Sequence, residues 1–380
     1  MLTRMLTTLF CVALLSIPAI SQAAIVEEFG PYPVGVTTTV LVDNNRNDEA
    51  TKGPRTIMTE IWYPSNDLAK QFPENKFSDF MLKGQHAGIA MAVKMAFKID
   101  LAEIDKTFQN NAFRDAPVAD GKFPLIIFSH GNGGFRMQST FWCEHLASHG
   151  YIVVSPDHTG NAAATVVDGK LIIHNSSARE QSAINRPLDV SFIIDTMTKW
   201  TAGADSRFTG KIDVEKIGVG GHSFGGYTST LIADSDDRVD AIVPMAAVSP
   251  DRTTYDTPVL VIIATEDGTI KAAGNQVIRD YYDNSKGPRY SIEFIDGGHY
   301  SFSDMGQFQP DFGDGIGKGT RITNGEEITY TPMDQIIRYT NGYTTAFLNK
   351  YVKGESDAEH DEYLSTNQAP KGLILHQAGE

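Results

Sequence analysis

The stretch Gly221-His222-Ser223-Phe224-Gly225 sets a serine between two glycines. A chain of this length with 34 Gly and 23 Ser yields about 0.2 such pentads by chance, so the surroundings must carry the argument. A neutral serine hydroxyl attacks poorly. It needs a base to take its proton, and the base needs a carboxylate to hold its tautomer and balance its charge. Downstream, "PVLVIIATEDGT" ends in Glu266 and Asp267, and "YSIEFIDGGHYSF" carries His299 after two glycines. The order Ser223, Asp267, His299 suits acyl transfer through a covalent intermediate, with His299 as base and Asp267 as its orienter. Glu266 should point away from its neighbour, and Asp251 in "AAVSPDRT" is the alternative acid. Negative charge developing on the attacked carbonyl needs fixed N–H donors. Phe224, directly after the serine, and Asn132 in "FSHGNGGFR" are the candidates.

These residues need elements to position them. "KIGVG" reads as a strand and "GGYTSTLIAD" as a helix, so Ser223 sits on a tight strand-to-helix corner that requires glycine two residues to either side. "FPLIIFSH", "YIVVSP", "VDAIVPMAAV", "TPVLVIIATED" and "RYSIEFIDGG" are apolar runs of the kind doubly covered parallel strands show. Between them lie helical patterns at "MQSTFWCEHLASHG", "NRPLDVSFIIDTMTKW" and "AAGNQVIRDYYDNS", the second with Pro187 expected in its first turn. Short strands are expected over 32–63, and a helix over 334–352 closes the pattern. Such alternation implies an α/β fold: an open, mostly parallel sheet with helices on both faces. Residues 74–118 look helical and interrupt the pattern as an insertion, either a cap over the site or a peripheral helix pair. A second insertion, 301–333, reads as a loop. The expectation is one catalytic domain over 24–380.

Composition excludes other classes. The formal net charge is −15 and no basic block occurs, so nucleic acid is not an expected partner. Residues 1–23 read as a cleaved signal peptide, with Arg4, a short apolar run and small residues at Ser21 and Ala23. The apolar run is too short to span a bilayer, and the expected location is secreted or periplasmic. The cysteines are Cys11 and Cys143, which leaves one after cleavage and no internal disulfide. Gly131-Asn132-Gly133 fails as a dinucleotide fingerprint because position 136 is Arg. His145 and His149, four apart on a helix, lack a third ligand, and no metal is expected there. Asp304, Asp311 and Asp314 match no calcium-loop spacing, which favours a solvated acidic loop and leaves calcium as the weaker option.

Together, "APVADGKFPLIIFSHGNGGFR", "LASHGYIVVSPDH", "NRPLDVSFIID" and "GHSFGGYTS" make the chain resemble secreted α/β-hydrolases related to dienelactone hydrolases and plasma-type platelet-activating-factor acetylhydrolases. The resemblance runs over roughly 32–352. It implies a serine esterase acting without cofactor, with Ser223, Asp267 and His299 as the triad and Asn132 and Phe224 as oxyanion donors. Dienelactone hydrolases carry cysteine where this chain has Ser223. The acetylhydrolases place the acid after an earlier strand, where this chain reads "AIVPMAAV" without a carboxylate. The expected substrate is a small-molecule, lipid or polymer ester. Peptide or amide hydrolysis on the same triad is the alternative, and a non-catalytic ligand-binding protein is the reading from another class.

Overall fold

The computed structural model describes residues 26–82, 91, 94, 100–250, 256–355, 358–365 and 370–378. The expected signal peptide, Cys11, most of 83–99 and Asp251 lie outside the described residues.

Ten strands form one mixed sheet: β1 (Val34–Asn47), β2 (Pro54–Pro64), β3 (Ala112–Arg114), β4 (Phe123–Ser129), β5 (Ile152–Pro156), β8 (Ile212–His222), β9 (Ala241–Met245), β10 (Val259–Ala264), β11 (Arg289–Phe294) and β14 (Leu373–Ala378). Two hairpins stand apart from it, β6 (Ala164–Val167) with β7 (Lys170–Ile173), and β12 (Lys318–Thr320) with β13 (Glu327–Thr329). The order is β14-β11-β10-β9-β8-β4-β5-β2-β1-β3. Strands β5, β4, β8, β9, β10 and β11 run parallel, while β2, β1 and β14 add antiparallel margins.

Alternation along the strands splits the core into two layers. On β4, Ile126 and Phe128 join one apolar cluster, and Leu125 and Ile127 the other. The first layer holds helix α3 (Thr140–Ser148) through Trp142 and Leu146, and helix α8 (Met333–Leu348) through Ala346 and Phe347. The second holds α4 (Arg179–Lys199), α5 (Phe224–Ser235) and α6 (Lys271–Asn284) through Val190, Ile193, Ile194, Met197, Ile232 and Ile278. This two-faced covering is the α/β-hydrolase arrangement, and it explains why the central strands are continuously apolar. At the chain reversal between β4 and β8, ligand-sized space opens beyond the carboxyl ends of the strands.

Several details differ from expectation. Strands β1 and β2 are long, 14 and 11 residues, and pair as one antiparallel ribbon rather than as short strands. Helix α4 begins at Arg179, so Pro187 lies inside it and not in its first turn. The hairpin β6–β7 and the edge strand β14 had no counterpart in the sequence reading. In the 74–118 insertion, helices α1 (Phe77–Leu82) and α2 (Leu101–Thr107) are followed by β3. Phe77 and Phe108 pack on Phe308 with ring centroids 4.7 and 5.8 Å away. Phe308 ends the short helix α7 (Met305–Phe308) of the 301–333 segment, so the two insertions interlock.

Candidate active site

Ser223 follows β8 and precedes α5 in a left-handed conformation, φ +55° and ψ −119°. A side-chain-bearing residue adopts this region at a cost of about 1–3 kcal/mol. Crowding around it shows why the flanking glycines are needed. A Cβ on Gly225 would overlap the Ser129 carbonyl oxygen, and one on Gly221 would overlap Gly225 itself. Ser223 N–H donates to Met245 O at 2.7 Å, which pins the corner to β9.

Three of the residues singled out from sequence meet in one hydrogen-bonded line. His299 Nε2 lies 2.9 Å from Ser223 Oγ, and His299 Nδ1 lies 2.7 Å from Asp267 Oδ2. Asp267 is fully buried beyond β10, and its other oxygen accepts from Thr269 N (3.0 Å) and Ile270 N (2.8 Å). Those bonds fix the carboxylate and leave Oδ2 for the histidine. The tautomer follows: an ionised Asp267 accepts from Nδ1–H, which leaves Nε2 to accept from the serine hydroxyl. Glu266 turns away and takes Arg321 Nη1 (2.9 Å) and Ile322 N (2.8 Å).

Asp314, expected on a solvated acidic loop, instead ties the two loops together. Its Oδ1 accepts from Gly268 N (2.7 Å) and His299 N (3.0 Å), and its Oδ2 from Thr269 Oγ1 (2.8 Å). Gly298 allows the closeness, since a Cβ there would overlap the 314–315 backbone. Asp304 is buried and accepts from Thr140 N at 2.5 Å, and burial pushes its carboxyl up to about 7.

The loop after β4 approaches from the other side. A Cβ on Gly131 would stand 3.4 Å from Ser223 Cβ, so the 131–132 backbone lies against the serine. Asn132 lines the cleft, and its Oδ1 accepts from Asn161 Nδ2 at 2.9 Å. Phe224 is the first residue of α5, where backbone N–H groups point out of the helix unpaired by its own carbonyls.

Two participants were not anticipated. Gln138 Oε1 accepts from Gly131 N at 2.9 Å, while its Nε2 donates to His222 Nδ1 at 2.6 Å. His222 Nε2 then donates to His299 O at 2.8 Å. Burial, then the neighbouring His299, holds His222 well below its usual value, which keeps it neutral as this chain of bonds requires. The bonds join the Asn132 loop to the His299 loop through the residue beside the serine. Only the sequence neighbourhood of His222 hinted at such a role, because Gln138 reaches it from a separate element.

The cleft over Ser223 has a volume of about 240 Å³. Phe135, Tyr300, Met305 and Phe312 give it apolar walls, and among the described residues no Asp, Glu, Lys or Arg lines it. Tyr300 and Phe312 meet edge to face at 4.8 Å. Three of the four apolar residues come from the segment just after His299. Among the described residues no cluster of His, Cys, Asp and Glu could hold a metal. His145 and His149 instead bind the N-terminal segment, each Nε2 lying 2.9 Å from the carbonyl oxygens of Val26 and Glu28 respectively. No helix among the described residues is long and apolar enough to cross a membrane.

Comparison with known proteins agrees with this architecture. Residues 116–309, just over half of the chain, match a family model described as PET hydrolase-like, and residues 18–187 match that of platelet-activating factor acetylhydrolase, isoform II. A platelet-activating factor acetylhydrolase of Canis lupus familiaris is 25% identical over 60% of this chain and 55% of its own length. Chlorophyllase-2 of Arabidopsis thaliana is 22% identical over 63% of this chain and 76% of its own. The chain thus spans about half the length of the acetylhydrolases it matches. Among solved structures, a ferulic acid esterase from Streptomyces cinnamoneus superposes with a TM-score of 0.69 at 22% identity, covering 90% of this chain and 96% of that one. The chain belongs to the PET hydrolase-like family.

Proposed function

We propose that this member of the PET hydrolase-like family is a serine hydrolase of carboxylic esters. The observation that carries the reading is the line Asp267–His299–Ser223, with its spacings of 2.7 and 2.9 Å, ending on a strained serine at the floor of a cleft. His299 takes the hydroxyl proton as Ser223 Oγ attacks the ester carbonyl. Asp267 holds the imidazolium that forms. The N–H groups of Asn132 and Phe224 receive the oxyanion, the leaving alcohol takes the proton back from His299, and water repeats the sequence on the acyl-enzyme. No step requires a cofactor.

The described lining of the cleft carries no Asp, Glu, Lys or Arg, which supports an uncharged acyl group, since a buried carboxylate or ammonium would meet no counter-ion among these residues. Relatives named as acetylhydrolases and a fold neighbour named as a ferulic acid esterase support ester rather than amide cleavage. Export with removal of 1–23 completes the reading, and the mature chain should begin at Ala24 or within a residue of it by mass.

The experiment is covalent labelling. A fluorophosphonate should modify the purified protein at Ser223, located by peptide mass, and Ser223→Ala should remain unlabelled. Equal labelling of that variant, or an unmodified wild type, overturns the proposal. A panel of esters graded in acyl length, with a phospholipid and a polyester included, then ranks the substrate classes.

A further inference from the structure

Helix α4 lies behind the Ser223 corner and contributes one fully buried cation, Arg186. Its Nη1 donates to His130 O at 2.7 Å and to Ser129 Oγ at 3.2 Å. Its Nη2 donates to Gly131 O at 3.2 Å and to Asn161 Oδ1 at 2.5 Å. The guanidinium also lies 4.5 Å over the Phe224 ring. One side chain therefore reaches both segments whose N–H groups are assigned to the oxyanion.

The Gly131 carbonyl and the Asn132 N–H are the two ends of one peptide group. That carbonyl accepts three times, from His130 Nδ1 at 2.6 Å, from Gly134 N at 3.0 Å and from Arg186. His130 Nε2 accepts from His158 N at 3.1 Å, which leaves the ring proton on Nδ1, aimed at Gly131 O. Burial, and then the Arg186 charge, holds His130 well below its usual value, so it stays a neutral donor. A donor on the oxygen end of an amide draws electron density from the nitrogen end and strengthens its N–H, by about 10–30% per bond. A full cation does more than a neutral donor. The Ser223–Phe224 peptide gains the same effect from its helix, since Ser223 O accepts from Tyr227 N at 3.0 Å. The 131–132 loop has no helix behind it. A turn to Gly134 N supplies its backbone donor, Arg186 adds a charged one, and Asn161 extends the hold, bonded on one side to Arg186 and on the other to the Asn132 side chain.

We infer that Arg186 is the positioning residue of the oxyanion site, holding and polarising the Gly131–Asn132 peptide from behind while it supports the ring of Phe224. This rests on the serine-hydrolase reading and on the roles proposed for Asn132 and Phe224.

A merely structural arginine and an oxyanion-positioning one differ in what they affect. A thionoester develops its charge on sulfur, a poor hydrogen-bond acceptor, so it gains little from an oxyanion site. With Arg186→Lys, kcat for a p-nitrophenyl ester should fall about 10–50-fold with KM within about twofold. The matching thionoester should lose less than about threefold, so the preference of the wild type for the oxygen ester collapses. The inhibition constant of an arylboronic acid, whose tetrahedral adduct places an oxygen in the same position, should rise in step with the loss in kcat. Arg186→Met should be more severe. If removing the buried cation prevents folding, the lysine variant still decides, because it keeps charge and stem but loses the planar fork. The inference is overturned if Arg186→Lys with a native circular-dichroism spectrum keeps ester turnover within about twofold, or if ester and thionoester rates fall by equal factors. Fluorophosphonate labelling of the wild type separates the two levels. An unreactive wild type removes the serine-hydrolase reading beneath the inference, whereas a reactive wild type with an unimpaired Arg186→Lys overturns Arg186 alone.

Discussion

Two Ser–His–Asp lines run through this molecule. In one, Ser223 Oγ is 2.9 Å from His299 Nε2 and His299 Nδ1 is 2.7 Å from Asp267. In the other, Ser129 Oγ is 2.9 Å from His158 Nε2 and His158 Nδ1 is 2.9 Å from Asp189. Connectivity and distance hardly distinguish them. Surroundings do. Ser129, His158 and Asp189 are all fully buried, and Ser129 Oγ also accepts from Arg186. Against the penalty of burial, Arg55 and then His158 hold the Asp189 carboxylate well below the usual range, and Arg46 bonds it too. The carboxylate thus serves guanidinium groups as well as the imidazole. Burial, then Arg186, pushes His158 down to about 4, so this histidine resists the charge a general base must accept. Ser223 has a strained corner and a cleft, and among the described residues no arginine bonds its oxygen. A hydrogen-bonded triad is therefore a catalytic candidate only where substrate can reach the serine and the histidine can hold a proton.

Substitution should split the two lines. The largest contrast is at the serines. Ser223→Ala should lower kcat for an aryl ester by about 10⁴-fold or more with an unchanged thermal midpoint, whereas Ser129→Ala should leave kcat within about fivefold and lower the midpoint. Steady-state kinetics beside thermal melts check both. The acids come next. Asp267→Asn should lower kcat by about 10³–10⁴-fold through loss of the tautomer. Asp189→Asn, which breaks a buried ion-pair network, should cost about 3–5 kcal/mol in urea unfolding. Equal kinetic losses at both aspartates would erase the distinction.

A smaller effect tests burial itself, away from either line. Glu144 on α3 is buried with one oxygen bonded to Asn111 N and the other without a partner among the described residues, and burial pushes its carboxyl up to about 8. The folded state therefore holds a proton that the unfolded chain releases from about pH 4 upward, so this group lowers stability progressively as pH rises toward 8. Glu144→Gln should remove that slope. Its melting temperature should match the wild type near pH 4 and exceed it by about 2–5 °C at pH 8. A constant difference across that range would show that ionisation is not the cause.

The central βαβ units were readable because strands buried on both faces appear as unbroken apolar runs. Ser223, Asp267 and His299 stood out because each follows such a run. Other parts left fainter traces. Asp168-Gly169 between β6 and β7 is a two-residue turn with both φ values positive, a short hairpin signal that lies outside the apolar runs. β14 pairs at the sheet margin and leaves Ile374 and His376 exposed, which breaks the apolar run that marks the central strands. Pro187 suggested a helix start because proline favours that place, yet the preceding "REQSAIN" continues the helix before it. Arg186, Gln138 and Asp314 were illegible as site components for a further reason. Each has partners far along the chain, Asn161 25 residues from Arg186, His222 84 from Gln138 and Gly268 46 from Asp314, so only the closed fold brings them together.

The left-handed turn at Ser223 has a consequence for any attempt to make this protein hardier. Glycine occupies that conformation freely, and every other residue pays in stability. A selection that rewarded heat resistance without demanding turnover would enrich Ser223→Gly. The sturdiest version of this fold would then be an inactive one, so screens for thermostable descendants should select on activity at every round.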